Sequence, residues 1–227
     1  MDEKQEKSLL KQIKEIVVDI NPDGVFRDAR GAGLEVLEIE DFRKQTHNYW
    51  RIEDLMHQYA GSAARYSAIS GATAGIGGPV TAVTLGGVDI ANMAAQLYRL
   101  SQRLAILNGF DPENPLQREK THELYLYALG FDAAAQAAIK QQMTRAAGIA
   151  GKRGAYSNPV LKLIVIIAEK LGAQITSKQA AKFIPIVGGA AGATVNYTFA
   201  RSAGNKMLDA FKKEYFRTWQ ATTRNGN

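Results

Sequence analysis

Three histidines, His47, His57 and His122, are the side chains best suited to proton transfer or metal ligation near neutral pH. None shares a helix face with a second ligand at metal spacing, and the neighbours His122 and Glu123 point to different faces. The absence of cysteine excludes disulfides, thiolate nucleophiles and cysteine-ligated metals. Gly75-Ile76-Gly77-Gly78 and Gly86-Gly87 invite a phosphate-loop reading. That loop needs a lysine after its last glycine and a strand before it, and neither is present. No Gly-x-Ser-x-Gly nucleophile elbow occurs. No catalytic residue, metal or cofactor is therefore assigned.

The sharpest polar candidates are Asp89, Asp111 and Asn196, each at the edge of an apolar, glycine-rich segment. The structural reading makes Asp89 the N-cap of a following helix and lets Asp111 close the Gly109–Pro115 loop. Asn196 then bonds a helix end or a facing backbone. The functional reading brings all three into one buried polar site of hydrolase-like character. The structural reading is the simpler one.

The elements that must position these residues are helices. Leu9, Leu10, Ile13, Ile16, Val17 and Ile20 recur at helical spacing over residues 3–20, and Asn21-Pro22-Asp23-Gly24 ends that run as a turn. Residues 25–40 read either as a short strand or as a loop entering a helix. A helical pattern resumes over about 39–70. Residues 66–88 then carry no charge over 23 positions and hold six glycines. That stretch is long enough to span a bilayer, but its six Ile, Leu and Val residues supply only about −2 to −4 kcal/mol of insertion energy. Pro79 interrupts it, so two short helices over 67–77 and 80–87 are expected, with a flat small-residue face that another helix can approach.

The clearest periodicity is Ile90, Met93, Leu97, Leu100, Leu104 and Leu107, stopped at Asn108-Gly109. Helices follow over 116–130 and, capped by Asp132, over 132–149. Residues 148–159 read as a linker, 160–171 as a buried helix, and Ser177 as the cap of a helix toward 183. A second uncharged stretch covers residues 183–200, 18 positions, again with a proline and a Gly-Gly pair. A basic amphipathic helix closes the chain over 202–219, and ATTRNGN reads as a disordered tail. The fold class is all-α: a compact multi-helix bundle with two Gly/Pro-rich apolar hairpins. The division is residues 1–58 as N-terminal helices, 59–220 as the main helical domain and 221–227 as the tail.

Charge is uneven. Residues 1–149 hold 16 Lys and Arg against 19 Asp and Glu, whereas residues 150–227 hold 12 against three. A basic C-terminal third favours an anionic partner. The aromatics Tyr197, Phe199, Tyr215, Phe216 and Trp219 fall at helical spacing rather than as a stacking platform, so no nucleic acid is expected. Mean hydropathy of −0.20 argues against a polytopic membrane protein, and the charged N-terminus does not read as a secretory signal.

Two segments carry a family resemblance. GATAGIGGPVTAVTLGGVDIANMAAQLYRLSQRLAILNGFD (Gly71 to Asp111) and IPIVGGAAGATVNY (Ile184 to Tyr197) resemble the EcsC family: a glycine-rich apolar segment, an Asp opening a long helix, a Gly-aromatic-Asp closing it, then an Ile-Pro, Gly-Gly and Asn element. Ala91 stands where the family often has proline. The resemblance implies a bacterial, helical, membrane-connected protein associated with an ABC transporter, and supplies no reaction.

The function expected is non-enzymatic docking on an anionic membrane or a membrane protein, peripheral to the cytoplasmic side of the inner membrane. Gly71, Gly75, Gly77, Gly78, Pro79, Pro185, Gly188 and Gly189 would form the apolar contact, and Lys206, Lys212, Lys213 and Arg217 would hold the headgroups. The alternatives are a membrane-permeabilising toxin or defence effector and, third, an enzyme built on Asp89, Asp111 and Asn196. Oligomeric state is left open.

Overall fold

The computed structural model describes residue 16 and residues 21–73, 79–149, 159–180 and 189–224. Among these, eight α-helices and no strand occur, packed as a compact bundle, so the chain is all-α as expected. The helix expected over 3–20 lies outside the described residues except for Ile16, which is helical and packs against the core. Gly75, Gly77, Gly78, Pro185, Gly188 and most of the linker also lie outside them.

Helix α1 (Pro22–Gly31) begins where the sequence reads as a turn. Asn21 Oδ1 accepts the Asp23 N–H at 2.8 Å and Pro22 occupies the first turn, where its missing N–H costs nothing. Residues 32–38 form a loop, not a strand, which buries Leu34 and Val36. Helix α2 (Ile39–Phe42), a 3₁₀ turn (Thr46–Asn48) and helix α3 (Tyr49–Thr73) replace the single helix expected from residue 39. The break has a tertiary cause. Phe42 is fully buried, and the Tyr215 hydroxyl donates to the Phe42 carbonyl at 3.0 Å and the Arg43 carbonyl at 3.3 Å.

Helix α4 (Pro79–Leu107) runs unbroken for 29 residues. Pro79 opens it, Gly86 and Gly87 remain helical, and Asp89 is an interior residue, not an N-cap. An interior glycine costs about 1 kcal/mol, which a long cooperative helix absorbs. Helices α5 (Pro115–Ala128) and α6 (Ala133–Ile149) start as read. Asn114 Oδ1 accepts from Leu116 and Gln117, and Asp132 Oδ1 accepts the Ala135 N–H at 2.8 Å. Helix α7 (Pro159–Ala180) runs through Ser177, so no new helix starts there. Helix α8 (Gly189–Arg224) is one helix of 36 residues, so the basic C-terminal helix is continuous with residues 189–200 of the second uncharged stretch, and residues 221–224 of the expected tail are helical.

Helix α4 ends at Gly109, whose φ of 76° only glycine adopts at low cost. The Gly109 N–H bonds the Ile106 carbonyl and the Phe110 N–H bonds the Ala105 carbonyl, a Schellman end that buries Phe110. A β-carbon at Gly109 would sit 2.6 Å from Arg43 Cγ. Gly109→Ala is expected to cost about 2 kcal/mol, from the left-handed backbone and the displaced arginine. Urea denaturation measures it, and a neutral substitution would contradict this account.

Helices α3 and α8 pack antiparallel. Tyr49 meets Tyr215 and Phe216, Glu53 meets Lys212, and a β-carbon at Gly204 would lie 3.3 Å from Ala60 Cβ and 3.6 Å from Leu100 Cδ2. Small residues at 60, 64, 200, 203 and 204 line this seam and are all buried, as a close helix approach requires. Helix α4 runs parallel to α8, with Leu100 beside Gly204 and Asn108 beside Trp219. Helix α7 runs antiparallel to α4: Gly172 lies against Ile90, while Leu163 joins His122, the partner of Tyr98. The last turns of α3 and α7 and the first turns of α4 and α8 therefore gather at one end of the bundle, where the described parts of both uncharged stretches lie.

Candidate functional site

The three polar candidates do not share a site. Asp89 and Leu107 are 18 positions apart on one straight helix, about 27 Å at 1.5 Å per residue, and Asp111 lies beyond the far end. Asp111 does what the structural reading assigned it. Its Oδ1 accepts the Glu113 N–H at 2.8 Å, its N–H donates to Gln117 Oε1 at 2.7 Å, and its carbonyl takes the Asn114 N–H. Asn196 is buried, and Ser67 with it. Counted from the Gly204 crossing, Asn196, Asn92 and Ser67 each stand about 10–12 Å toward the glycine-rich end. Asn92 Oδ1 in that polar layer is buried with no hydrogen-bond partner. The side chain of Asp89 lies outside the described residues.

The four cations assigned to headgroups also divide. Lys212 Nζ reaches both Glu53 carboxylate oxygens at 2.6 and 2.8 Å, and Arg217 pairs with Glu214. Lys206 and Lys213 are exposed. Lys212 stands 23 positions from Gly189 along α8, about 35 Å, so these charges and the glycine-rich end face different places. The spacing of the lysines showed an amphipathic helix but not which of its cations a neighbouring helix would take.

What the glycine-rich end has instead is a collar absent from the sequence reading. Tyr66 on α3 is 60% exposed and Tyr197 on α8 is 41% exposed. Both stand about 10 Å beyond the Ala60–Gly204 contact, hence at one height. Exposed Arg65 and Arg201 sit just behind them, and Arg201 lies against Gly61. Beyond the collar, α3 from Tyr66, α4 as far as Val88 and α8 before Arg201 carry no charged residue. Between positions 65–90 and 169–201, five cations (Arg65, Lys170, Lys178, Lys182 and Arg201) face two carboxylates, Asp89 and Glu169.

The opposite end is a structural knot. Trp219 Nε1 donates to the Asn108 carbonyl at 2.8 Å, Arg43 lies 4.5 Å over the Trp219 ring, and Arg43 Nε donates to the Gly109 carbonyl at 2.9 Å. Buried Asn108 accepts from the Tyr49 hydroxyl at 2.8 Å and donates to the Leu104 carbonyl at 2.7 Å. The Asn-Gly-Phe-Asp run thus joins α4 to α2, α3 and α8.

One histidine is set into the packing. His122 faces a cavity of about 270 Å³ between α5, α6 and α7, and its Nε2 lies 3.3 Å from the Tyr98 hydroxyl. Burial, then the charges of Arg118 and Lys140, lower its pKa to about 4, with Glu119 opposing. His47 and His57 are exposed, and no cluster of three potential metal ligands occurs among the described residues. Because the unfolded chain binds the His122 proton more tightly, its contribution is present above about pH 6.5 and is lost as pH falls toward 4. The expected loss is up to about 3 kcal/mol over that window, measured as urea midpoints against pH. His122→Gln should flatten that part of the profile. An unchanged slope would assign the effect to other groups.

No curated protein and no solved structure matches the chain. The profile of the EcsC protein family matches residues 3–214, nearly the whole chain, and the chain therefore belongs to the EcsC protein family.

Proposed function

We propose that the chain is a non-enzymatic protein that docks on an anionic membrane surface through the glycine-rich end of its bundle. The observation that carries this reading is the collar: exposed Tyr66 and Tyr197 at one height, backed by exposed Arg65 and Arg201, where three helices lose all charge. Tyrosine favours the boundary between headgroups and acyl chains, because its ring prefers the apolar side and its hydroxyl the wet side. Cations just behind that boundary meet lipid phosphates, each worth about 1 kcal/mol near an anionic surface. The glycines let the helix ends pack closely without bulky side chains.

No helix among the described residues is long and apolar enough to cross a membrane, which fits contact with the surface rather than a span. The location this reading implies is the cytoplasmic face of a bacterial inner membrane, beside a transport complex. Lys206, Lys212, Lys213 and Arg217, first assigned to the headgroups, have no part in it.

Liposome flotation tests the proposal. Recovery with vesicles containing phosphatidylglycerol, and none with neutral phosphatidylcholine vesicles, is expected. Indifference to both would end it. Dye release from the same vesicles would favour the permeabilising alternative, and docking without leakage the present reading.

A further inference from the structure

We infer that the cavity between α5, α6 and α7 binds a small carboxylate that carries a short apolar body. The inference goes beyond the docking reading and does not depend on it. The cavity encloses about 270 Å³. An apolar cavity of about 150 Å³ takes benzene, so this one has room for a body of about six to eight carbon atoms. Leu126, Ile139, Met143 and Leu163 line it, contributed by all three helices. Met143 is only partly buried, and its flexible thioether chain adapts to the shape of an apolar ligand. The polar part of the lining includes Arg118, Glu119, Lys140 and His122.

Most of this charge is already satisfied. Lys140 Nζ lies 2.9 Å from Glu119 Oε1 and 3.0 Å from Glu123 Oε1, and Glu123 also takes Lys120 at 2.9 Å. Arg118 is exposed and forms no ion pair among the described residues. One guanidinium therefore remains for a ligand, and its planar fork matches a carboxylate through two parallel hydrogen bonds. A single unbalanced cation suits a monoanion. The imidazole supplies a second contact. Burial pushes the Tyr98 hydroxyl up to about 12, so it stays protonated, and it lies 3.3 Å from His122 Nε2. By donating there it places the ring proton on Nδ1, which becomes the donor to a carboxylate oxygen. Around His122 stand Arg118 and Glu119 from its own helix, Lys140 from α6 and Tyr98 from α4, while α7 presents Leu163. A carboxylate bound among them favours the charged imidazole and so raises the His122 pKa from about 4.

Proton NMR of the histidine rings during titration with hexanoate, and with hexanol as its uncharged counterpart, tests the assignment. Hexanoate is expected to bind saturably and to raise the His122 pKa by about 1–3 pH units, the range for an opposite charge about 4–6 Å away. The exposed His47 and His57 should not respond and serve as internal references. Hexanol should bind about tenfold more weakly and leave the His122 pKa in place. Arg118→Gln should weaken hexanoate binding by about tenfold or more, the loss expected when charge-assisted hydrogen bonds disappear. Its melting temperature should match the wild type, because Arg118 is exposed. Arg118→Lys keeps the charge without the fork and should recover part of the affinity. Hexanol binding as tightly as hexanoate would make the cavity a site for neutral apolar molecules and overturn the inference. Absence of saturable hexanoate binding, undiminished binding in Arg118→Gln, or an unmoved His122 pKa at saturation would overturn it equally.

Discussion

Reversing Arg65 and Arg201 together to glutamate is expected to abolish recovery with anionic vesicles while leaving helix content and melting temperature unchanged. Both side chains are exposed, and the one hydrogen bond described for Arg65, to Ser62 Oγ, is long at 3.4 Å. Folding loses little. Docking loses much, because two reversals change the charge at the collar by four units. At about 1 kcal/mol per charge near an anionic surface, the penalty is about 4 kcal/mol, close to a thousandfold in partition. Lys206→Glu with Lys213→Glu is the control, since it changes net charge equally at exposed positions of α8 that lie farther from the collar than Arg201. It should leave most of the binding in place. Equal loss in both pairs would mean that overall charge governs association, or that the basic face of α8 is the contact after all. Salt should weaken the wild-type interaction, as expected for exposed charges screened within about 10 Å at 0.1 M ionic strength.

The second large effect is on stability. Tyr215→Ala is expected to cost about 3–5 kcal/mol, the range for removing a fully buried aromatic side chain. Tyr215 is buried completely, its ring centroid lies 4.6 Å from that of Tyr49 and 5.2 Å from that of Phe216, and its hydroxyl ties down α2 through the Phe42 carbonyl. Against a total of about 5–15 kcal/mol for a typical domain, that loss leaves little in reserve. Tyr215→Phe separates the two roles, since it keeps the ring and removes only the hydrogen bond, at about 1 kcal/mol. Urea unfolding of the two variants checks both numbers. An alanine variant as stable as the phenylalanine one would mean that the ring packing does not hold α8 against α3.

Much of the helical framework was legible because its signals are local. Asp132 and Gly109 cap where their chemistry predicts, and the Ile90–Leu107 stripe faces the core. Local signals failed where two meanings compete. Asn21-Pro22 served a helix start as well as a turn, and Asp89 looked like a cap beside Gly86-Gly87 but lies inside α4. Proline and glycine set local preferences of a few kcal/mol at most, and cooperative helix packing overrides them.

The sequence by itself determined the all-α class, the uncharged glycine-rich stretches, the basic C-terminal third and the membership that its motifs suggested. Only the tertiary structure decided that both stretches converge on one end of the bundle. It alone paired Lys212 with Glu53 and set Tyr66 level with Tyr197. The physical reason is that composition and periodicity are properties of neighbouring residues. Which face meets which, and which charges are left for a partner, depends on contacts between helices far apart in the chain.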